Sequence, residues 1–531
     1  MTHRRRPTFS LLLIGLVVAA CGGTASPAPA SGGPSGSGPA PTRGGTVTLS
    51  MFEEPDTLDP TFAGTAGARE VFINMCDRLF DLDAQGNLVP QLASAMPKVS
   101  ADGLTVTIDI RTGAKFNDGT PMDVASVVSS LERHRSEEGS RRKSELSNVT
   151  KIEGSGNAVV MTLSKPDSSL AATLSDRAGM IMSPAQVTKL GKDFGTSPVC
   201  VGPFKFVERV AGDHITLDRA PDYYDAEHVY LDKIIYKPIA DETVRSANLR
   251  SGDLQLVDRV ATTDVAALQS DPKFVSLKVT SNAYTSLTIN VANANGIAGE
   301  PGTIKSALAD PKLREAFDLA LDREQINTIV YGGLQQVGCG PISPANPFYD
   351  GIPCPARDLE GAKKLVAESG RPTPIAVEFQ VANSPANVRL AELVQSQVAE
   401  AGFAVKVVPL ENTAAFQNQT DGKFEIQLTP WSGRVDPDGN IYRFHHSKGS
   451  DNSAKASDPA LDALLDQARA EGDVTARKAL YKQIVEAVRA RRNVVTFQIQ
   501  NLYAAHTSKL HGFAMYVDGM PRLKSAFLEA G

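Results

Sequence analysis

From about residue 284 onward the hydrophobic period of this chain switches repeatedly between that of a helix and that of a strand. Asp310-Pro311 starts a helix with a cap and a proline at its first position. Residues 359–368 read as a helix stopped by Gly370. Leu390, Leu393, Val394, Val398 and Ala401 form one apolar stripe, closed by Gly402, and residues 403–410 follow as a strand. Asp458-Pro459 opens another helix. Asp473 opens a long one with Leu480, Tyr481, Ile484, Val485 and Val488 inward, and residues 494–499 return as a strand. A chain that alternates in this way folds as layered α/β structure.

The earlier half is richer in strands. Residues 46–52, 104–110 and 158–164 alternate with period two, and 202–208 with 214–219 read as a strand pair. Residues 231–239 and 254–260 add two more strands. A helix is expected over roughly 66–79, and Asp123 caps a second that runs to about residue 135. Asp81-Leu-Asp-Ala-Gln-Gly86 has the look of a calcium loop, but Leu92 stands where a bidentate glutamate is needed, so that reading is rejected. Two lobes joined by several chain crossings enclose a cleft.

The start of the chain is of another kind. Met1-Thr-His-Arg-Arg-Arg6 precedes an apolar run over 9–20, shorter than the ~20 residues that span a bilayer, and this is the form of a secretory signal. Val18-Ala-Ala-Cys21-Gly22 resembles a bacterial lipobox, in which Cys21 becomes the lipidated first residue. Residues 22–43 hold 15 Gly, Pro or Ser among 22 positions and read as a tether of roughly 25 Å. The expected location is therefore extracytoplasmic, lipid-anchored at the outer face of the cell membrane. A net charge of −6 with no basic stripe beyond the leader argues against nucleic acid.

Four cysteines follow Cys21. Their even number in an exported chain implies two disulfides, the other reading being four separate buried thiols. Cys339 and Cys354 flank a Pro/Gly-rich loop over 340–353 and would close it, which leaves Cys76 with Cys200. No zinc spacing is present. His445 and His446 are adjacent, so they do not face one way, and no metal or cofactor is expected. Without a Gly-x-Ser-x-Gly elbow, a His-Glu-x-x-His helix or a phosphate-cradling loop, an enzyme is not expected.

The only tryptophan lies in the run Thr429-Pro-Trp-Ser-Gly-Arg-Val-Asp-Pro-Asp-Gly-Asn440. The run follows an apolar stretch over 424–428 that reads as a buried strand. Its Asp, Pro and Gly residues make it a turn rather than an element. Loops at strand ends are where open α/β sheets place ligands. Trp431, Arg434 and Asp436 are the candidates here, against the alternative of a core tryptophan beside a polar turn.

Three segments, in order, resemble the family 5 extracellular solute-binding proteins, the dipeptide/oligopeptide/nickel group that serves ABC importers. The first runs from Leu104 through Arg111-Thr-Gly-Ala-Lys-Phe-Asn-Asp-Gly119 into the helix capped by Asp123. The second is Val201-Gly-Pro-Phe with Pro221-Asp-Tyr-Tyr, and the third is Leu313-Arg-Glu-Ala-Phe-Asp-Leu-Ala-Leu-Asp-Arg323. Gly119 and Gly202 are expected to serve turns. The resemblance covers about 44–528 and implies an α/β, two-lobed periplasmic-binding-protein-like fold of class II type. The signal peptide would occupy 1–20 and the tether 21–43. Lobe I would comprise 44–75, 195–275 and 500–531, an inserted domain 76–194, and lobe II 276–499.

The resemblance also implies a monomer that captures a small peptide or peptide-like ligand between the lobes and delivers it to membrane permease subunits. In peptide binders of the family, an aspartate three residues after this tryptophan holds the ligand's α-amino group. Here that position is Arg434, which favours a ligand carboxylate. Asp436 would supply the missing anion or pair with Arg434. Thr57, Leu58, Tyr284 and Asn290 fall where the family lines its cleft. The inverted charge also admits another small anionic ligand, glutathione-like or opine-like.

Overall fold

The chain is built around one mixed sheet of 11 strands, described in a computed structural model over residues 39–349 and 351–529. Cys21 and most of the tether lie outside the described residues. On one side of the sheet, Ile375–Ala382 pairs in parallel with Phe403–Leu410 and with Ile426–Trp431. On the other, Thr46–Met51 pairs in parallel with Lys233–Pro238, which continues antiparallel into His214–Arg219 and Phe204–Val210. Parallel pairs need long crossovers. The helix Pro385–Ala399 supplies the one that joins Ile375–Ala382 to Phe403–Leu410, laying Leu390, Val394 and Val398 on the sheet.

Two long strands tie the sides together. Phe274–Ile289 runs antiparallel to Val494–Thr507 from Phe274 opposite Thr507 to Thr288 opposite Val494. Both strands pass through the boundaries expected at 275/276 and 499/500, so a single sheet is continuous across the two lobes. Their register shifts between Thr280 and Tyr284. Such an irregularity bends a strand and raises its local twist. The expected strand over 494–499 is therefore less than half of the observed one. The extension over 500–507 is mixed in polarity because its neighbours bury it on both faces.

A separate four-stranded antiparallel sheet contains Thr105–Asp109, Ala158–Leu163, Val149–Ser155 and the short Lys98–Val99. The helix Val124–Ser136 covers it, capped by Asp123, whose carboxylate accepts from Ser126 N. Ile108, Phe116, Leu131 and Met161 form its own core. The buried carboxylate of Asp77 accepts from the hydroxyls of Tyr223 and Tyr224 at 2.9 and 2.8 Å and from Gln91. That arrangement gives the Pro221-Asp-Tyr-Tyr segment a structural role.

Both disulfides are present. Cys76–Cys200 (Cα–Cα 5.1 Å) joins the end of the helix Ala66–Met75 to the turn at Gly202, and Cys339–Cys354 (5.4 Å) closes the loop between them. Gly202 has no room for a side chain, since a Cβ there would lie 2.0 Å from the Met75 carbonyl oxygen. No helix among the described residues is long and apolar enough to cross a membrane.

Candidate functional site

Trp431 ends a strand rather than lying in a loop. Ile426–Trp431 pairs with Phe274–Ile289, with Trp431 opposite Tyr284. The turn over 432–437 leads at once into the helix Asp438–His445, which begins inside the run read as a pure turn. Gly433 makes that turn possible: its φ is +75°, and an added Cβ would lie 2.4 Å from the Asn282 carbonyl carbon.

Asn440, buried at 1 % exposure, fastens the turn. Its Oδ1 accepts from Trp431 Nε1 at 2.9 Å and from Arg434 N at 2.6 Å, and its Nδ2 donates to the Arg434 carbonyl at 2.8 Å. The Tyr284 hydroxyl donates to the Asn440 carbonyl at 2.8 Å. Tyr284 thus supports the site from beneath and is itself buried. Asn440 belongs to the quoted run but was not among the candidates; its reach back to residue 434 depends on the helix turn that periodicity did not show.

The indole is half-buried and packs edge-on against Phe444, with ring centroids 4.9 Å apart. The guanidinium carbons of Arg434 and Arg443 lie 4.5 and 4.9 Å from the Trp431 ring centroid, within cation–π range. The opposite wall is made by residues 142–177 and by Arg69 on the helix Ala66–Met75. Asp176 is the centre of that wall. Arg69 Nε approaches its carboxylate at 3.2 Å, Arg434 Nε at 3.3 Å and Arg177 Nε at 3.7 Å. Glu145 receives Arg142 at 2.7 Å and Arg443 at 3.8 Å, and Arg443 has a second partner in Asp451. Arg69 also donates to Ser432 Oγ at 3.4 Å. A cavity of about 50 Å³ lies between the walls, lined among others by Thr173, Asp176, Arg434, Gly439 and Arg443.

The electrostatics follow from crowding of like charges in a dry place. Burial pushes the Arg434 guanidinium down to about 9, and Arg69 adds to the push. Burial and then Arg142 hold Arg177 well below its ordinary value. Burial raises the Asp176 carboxyl, but Arg69 and Arg434 outweigh it and hold it well below the usual carboxylate range.

Several expectations need correcting. Asp436 does not pair with Arg434; it is held bidentate by Arg477 at 2.5 and 2.7 Å, though it still borders the cavity. Leu58 is fully buried in the first lobe's apolar core, so its side chain packs rather than touching a ligand. Asn290, at 1 % exposure, spends its amide on the carbonyls of Asn293, Gly422 and Phe424. Thr57 is half-buried, and its Oγ1 accepts from Asp59 N at 3.2 Å. Asp59 is locked at 2.9 and 2.7 Å to Arg133 of the helix Val124–Ser136, which ties the Thr57 segment to the domain of the four-stranded sheet. Of the predicted residues, Trp431, Arg434, Tyr284 and Asp436 are brought together. Arg69, Arg142, Glu145, Asp176, Arg177 and Arg443 were missed, because they come from distant segments and have no shared period.

Comparison with known proteins agrees with this architecture. Residues 87–452 match the bacterial extracellular solute-binding proteins, family 5, middle region. The glutathione-binding protein GsiB of Escherichia coli O1:K1 is 25 % identical over 485 residues, covering 89 % of this chain and 92 % of its own. The periplasmic binding protein DppA from Helicobacter pylori, solved with the peptide STSA, superposes with a TM-score of 0.82 at 23 % identity, covering 92 % of this chain and 99 % of its own. AgaA from A. tumefaciens R10, solved with agropinic acid, gives a TM-score of 0.81 at 26 % identity, with 92 % and 99 % covered.

Proposed function

Because the chain belongs to family 5 of the bacterial extracellular solute-binding proteins, we propose that it captures small peptides in the cleft between the Trp431 wall and the Asp176 wall. It then presents the closed form to the permease of an ABC importer. The observation that carries this reading is Arg434, a half-buried guanidinium on an aromatic face and turned to the opposite wall. Such a group takes a carboxylate by charge-assisted hydrogen bonds, and every peptide has one at its C-terminus. The named ligands of the relatives, a peptide, glutathione and agropinic acid, are in keeping with it. The protein's work is selection: it desolvates a polar guest and supplies partners for the groups it strips of water.

The second reading replaces the peptide by another small anionic solute, glutathione-like or opine-like, and the same guanidinium favours it. Mass spectrometry of the molecule that co-purifies tests both. A ladder of peptides selects the first, a single acid the second, and continuous turnover of any offered compound would remove both. Cys21 is the lipidation site in this proposal, and the body works as a monomer held at the membrane's outer face. Radiolabelled palmitate should follow the wild type and be absent from Cys21→Ser.

A further inference from the structure

Among the described residues, five arginines and three carboxylates meet at the cleft. Asp176 is shared by Arg69, Arg177 and Arg434; Glu145 is shared by Arg142 and Arg443; and Asp451 pairs with Arg443 alone. The cations stand in one another's fields. Arg434 is depressed by Arg69 and Arg443, and Arg177 by Arg142, Arg434 and Arg69. Nε of Arg142 and Nε of Arg177 are buried without a hydrogen-bond partner. The next acids along the wall add nothing to the balance, because Asp436 is neutralised by Arg477 and Asp438 by Arg469. Arginine stays protonated at neutral pH, so among the described residues the cluster holds two positive charges more than its carboxylates neutralise. Buried charge of one sign is costly unless paired.

We propose that the ligand brings two carboxylates, one received on the Trp431 wall by Arg434 and Arg443 and the other on the opposite wall by Arg69 and Arg177. This rests on the peptide-capture reading and narrows it to acidic peptides and peptide-like diacids. A guest with a carboxylate at each end relieves both surpluses only when the walls come together. Closure is thereby coupled to ligand charge, since a ligand shifts the equilibrium only by its differential contacts with the closed form. Asp176 and Glu145, the two carboxylates that both walls already share, are the residues whose partners the ligand would divide.

Calorimetry with four probes tests the proposal and separates it from the reading it rests on. The probes are Glu-Ala-Ala, Gln-Ala-Ala, the C-terminal amide of Gln-Ala-Ala, and glutarate. The first three hold two, one and no carboxylates on nearly the same shape. Each carboxylate removed is expected to weaken binding by about tenfold to a hundredfold. Equal affinity for the three peptides overturns the two-carboxylate proposal and leaves peptide capture standing. Binding of glutarate but of no peptide supports the two charges and overturns peptide capture; no binding by any probe overturns both. Arg69→Gln should shrink the Glu-Ala-Ala to Gln-Ala-Ala affinity ratio towards one, and Arg434→Gln the ratio of Gln-Ala-Ala to its C-terminal amide. If both ratios survive in their variants while circular dichroism shows them folded, these arginines are not the receptors.

Discussion

At the residue scale the site depends on groups that hold other groups. Asn440 contacts Trp431 and Arg434 by three hydrogen bonds and is nearly free of solvent. Asn440→Ala leaves an indole N–H and two backbone groups of Arg434 without that partner. It should cost about 2–3 kcal/mol in urea unfolding. Trp431 is the only tryptophan, so its fluorescence reports the loosened turn directly. Arg434→Gln should weaken a carboxylate ligand by about 1.5–3 kcal/mol by calorimetry with little change in stability; unchanged affinity would remove Arg434 from the site. Arg434 itself was legible from sequence as a charge three positions after the tryptophan. Its partner Asp176, 258 positions earlier by subtraction of the two numbers, was not.

At the scale of elements, caps and turns were the most readable features. Asp123, Asp310, Asp458 and Asp473 each cap the helix assigned to them, because the capping interaction is local. The strand Ile375–Ala382 went unread, and Trp431 was assigned to a loop although it pairs with Tyr284. Pairing partners decide those cases, and they are remote in sequence. Gly202→Ala would drive a methyl group into the Met75 carbonyl; a loss of at least about 3 kcal/mol is expected in thermal unfolding. The two disulfides should differ in worth. Cys76–Cys200 closes a separation of 124 residues and Cys339–Cys354 one of 15. Chain entropy then assigns them about 5 and about 3 kcal/mol, so paired Cys→Ser replacements should lower the urea midpoint more for the first.

For the whole molecule, buried titratable groups tie stability to pH. His134 is fully buried, with Nδ1 3.0 Å from Thr61 Oγ1 and Nε2 donating to the Met180 carbonyl at 3.0 Å. Burial pushes its pKa down to about 4 from an ordinary 6.5. Between those values only the unfolded chain takes up the proton. The stabilisation is complete above pH 6.5 and is lost as pH falls towards 4, by about 3 kcal/mol. His445, pushed down to about 3 by burial and then by Arg491, acts in the same direction. Asp77 and Asp438, raised to about 6 chiefly by burial, oppose it: their folded forms hold protons more tightly, so stability falls as pH rises from about 4 to 6. His134→Gln should therefore flatten the fall in unfolding free energy between pH 6.5 and 4, measured by urea titrations at stepped pH. An unchanged slope would mean that His134 is already protonated when folded.

Taken alone, the sequence determined the alternation of elements, the caps, four cysteines beyond Cys21 and a polar run around the single tryptophan, since each is written in residues near one another or in a simple count. Only the tertiary structure decided that two long strands make one sheet of both lobes, and that five arginines from separate segments converge on Asp176 and Glu145. The physical reason is range. Propensity and periodicity act over a few residues, whereas the charge of a cleft is a sum over side chains brought together by folding.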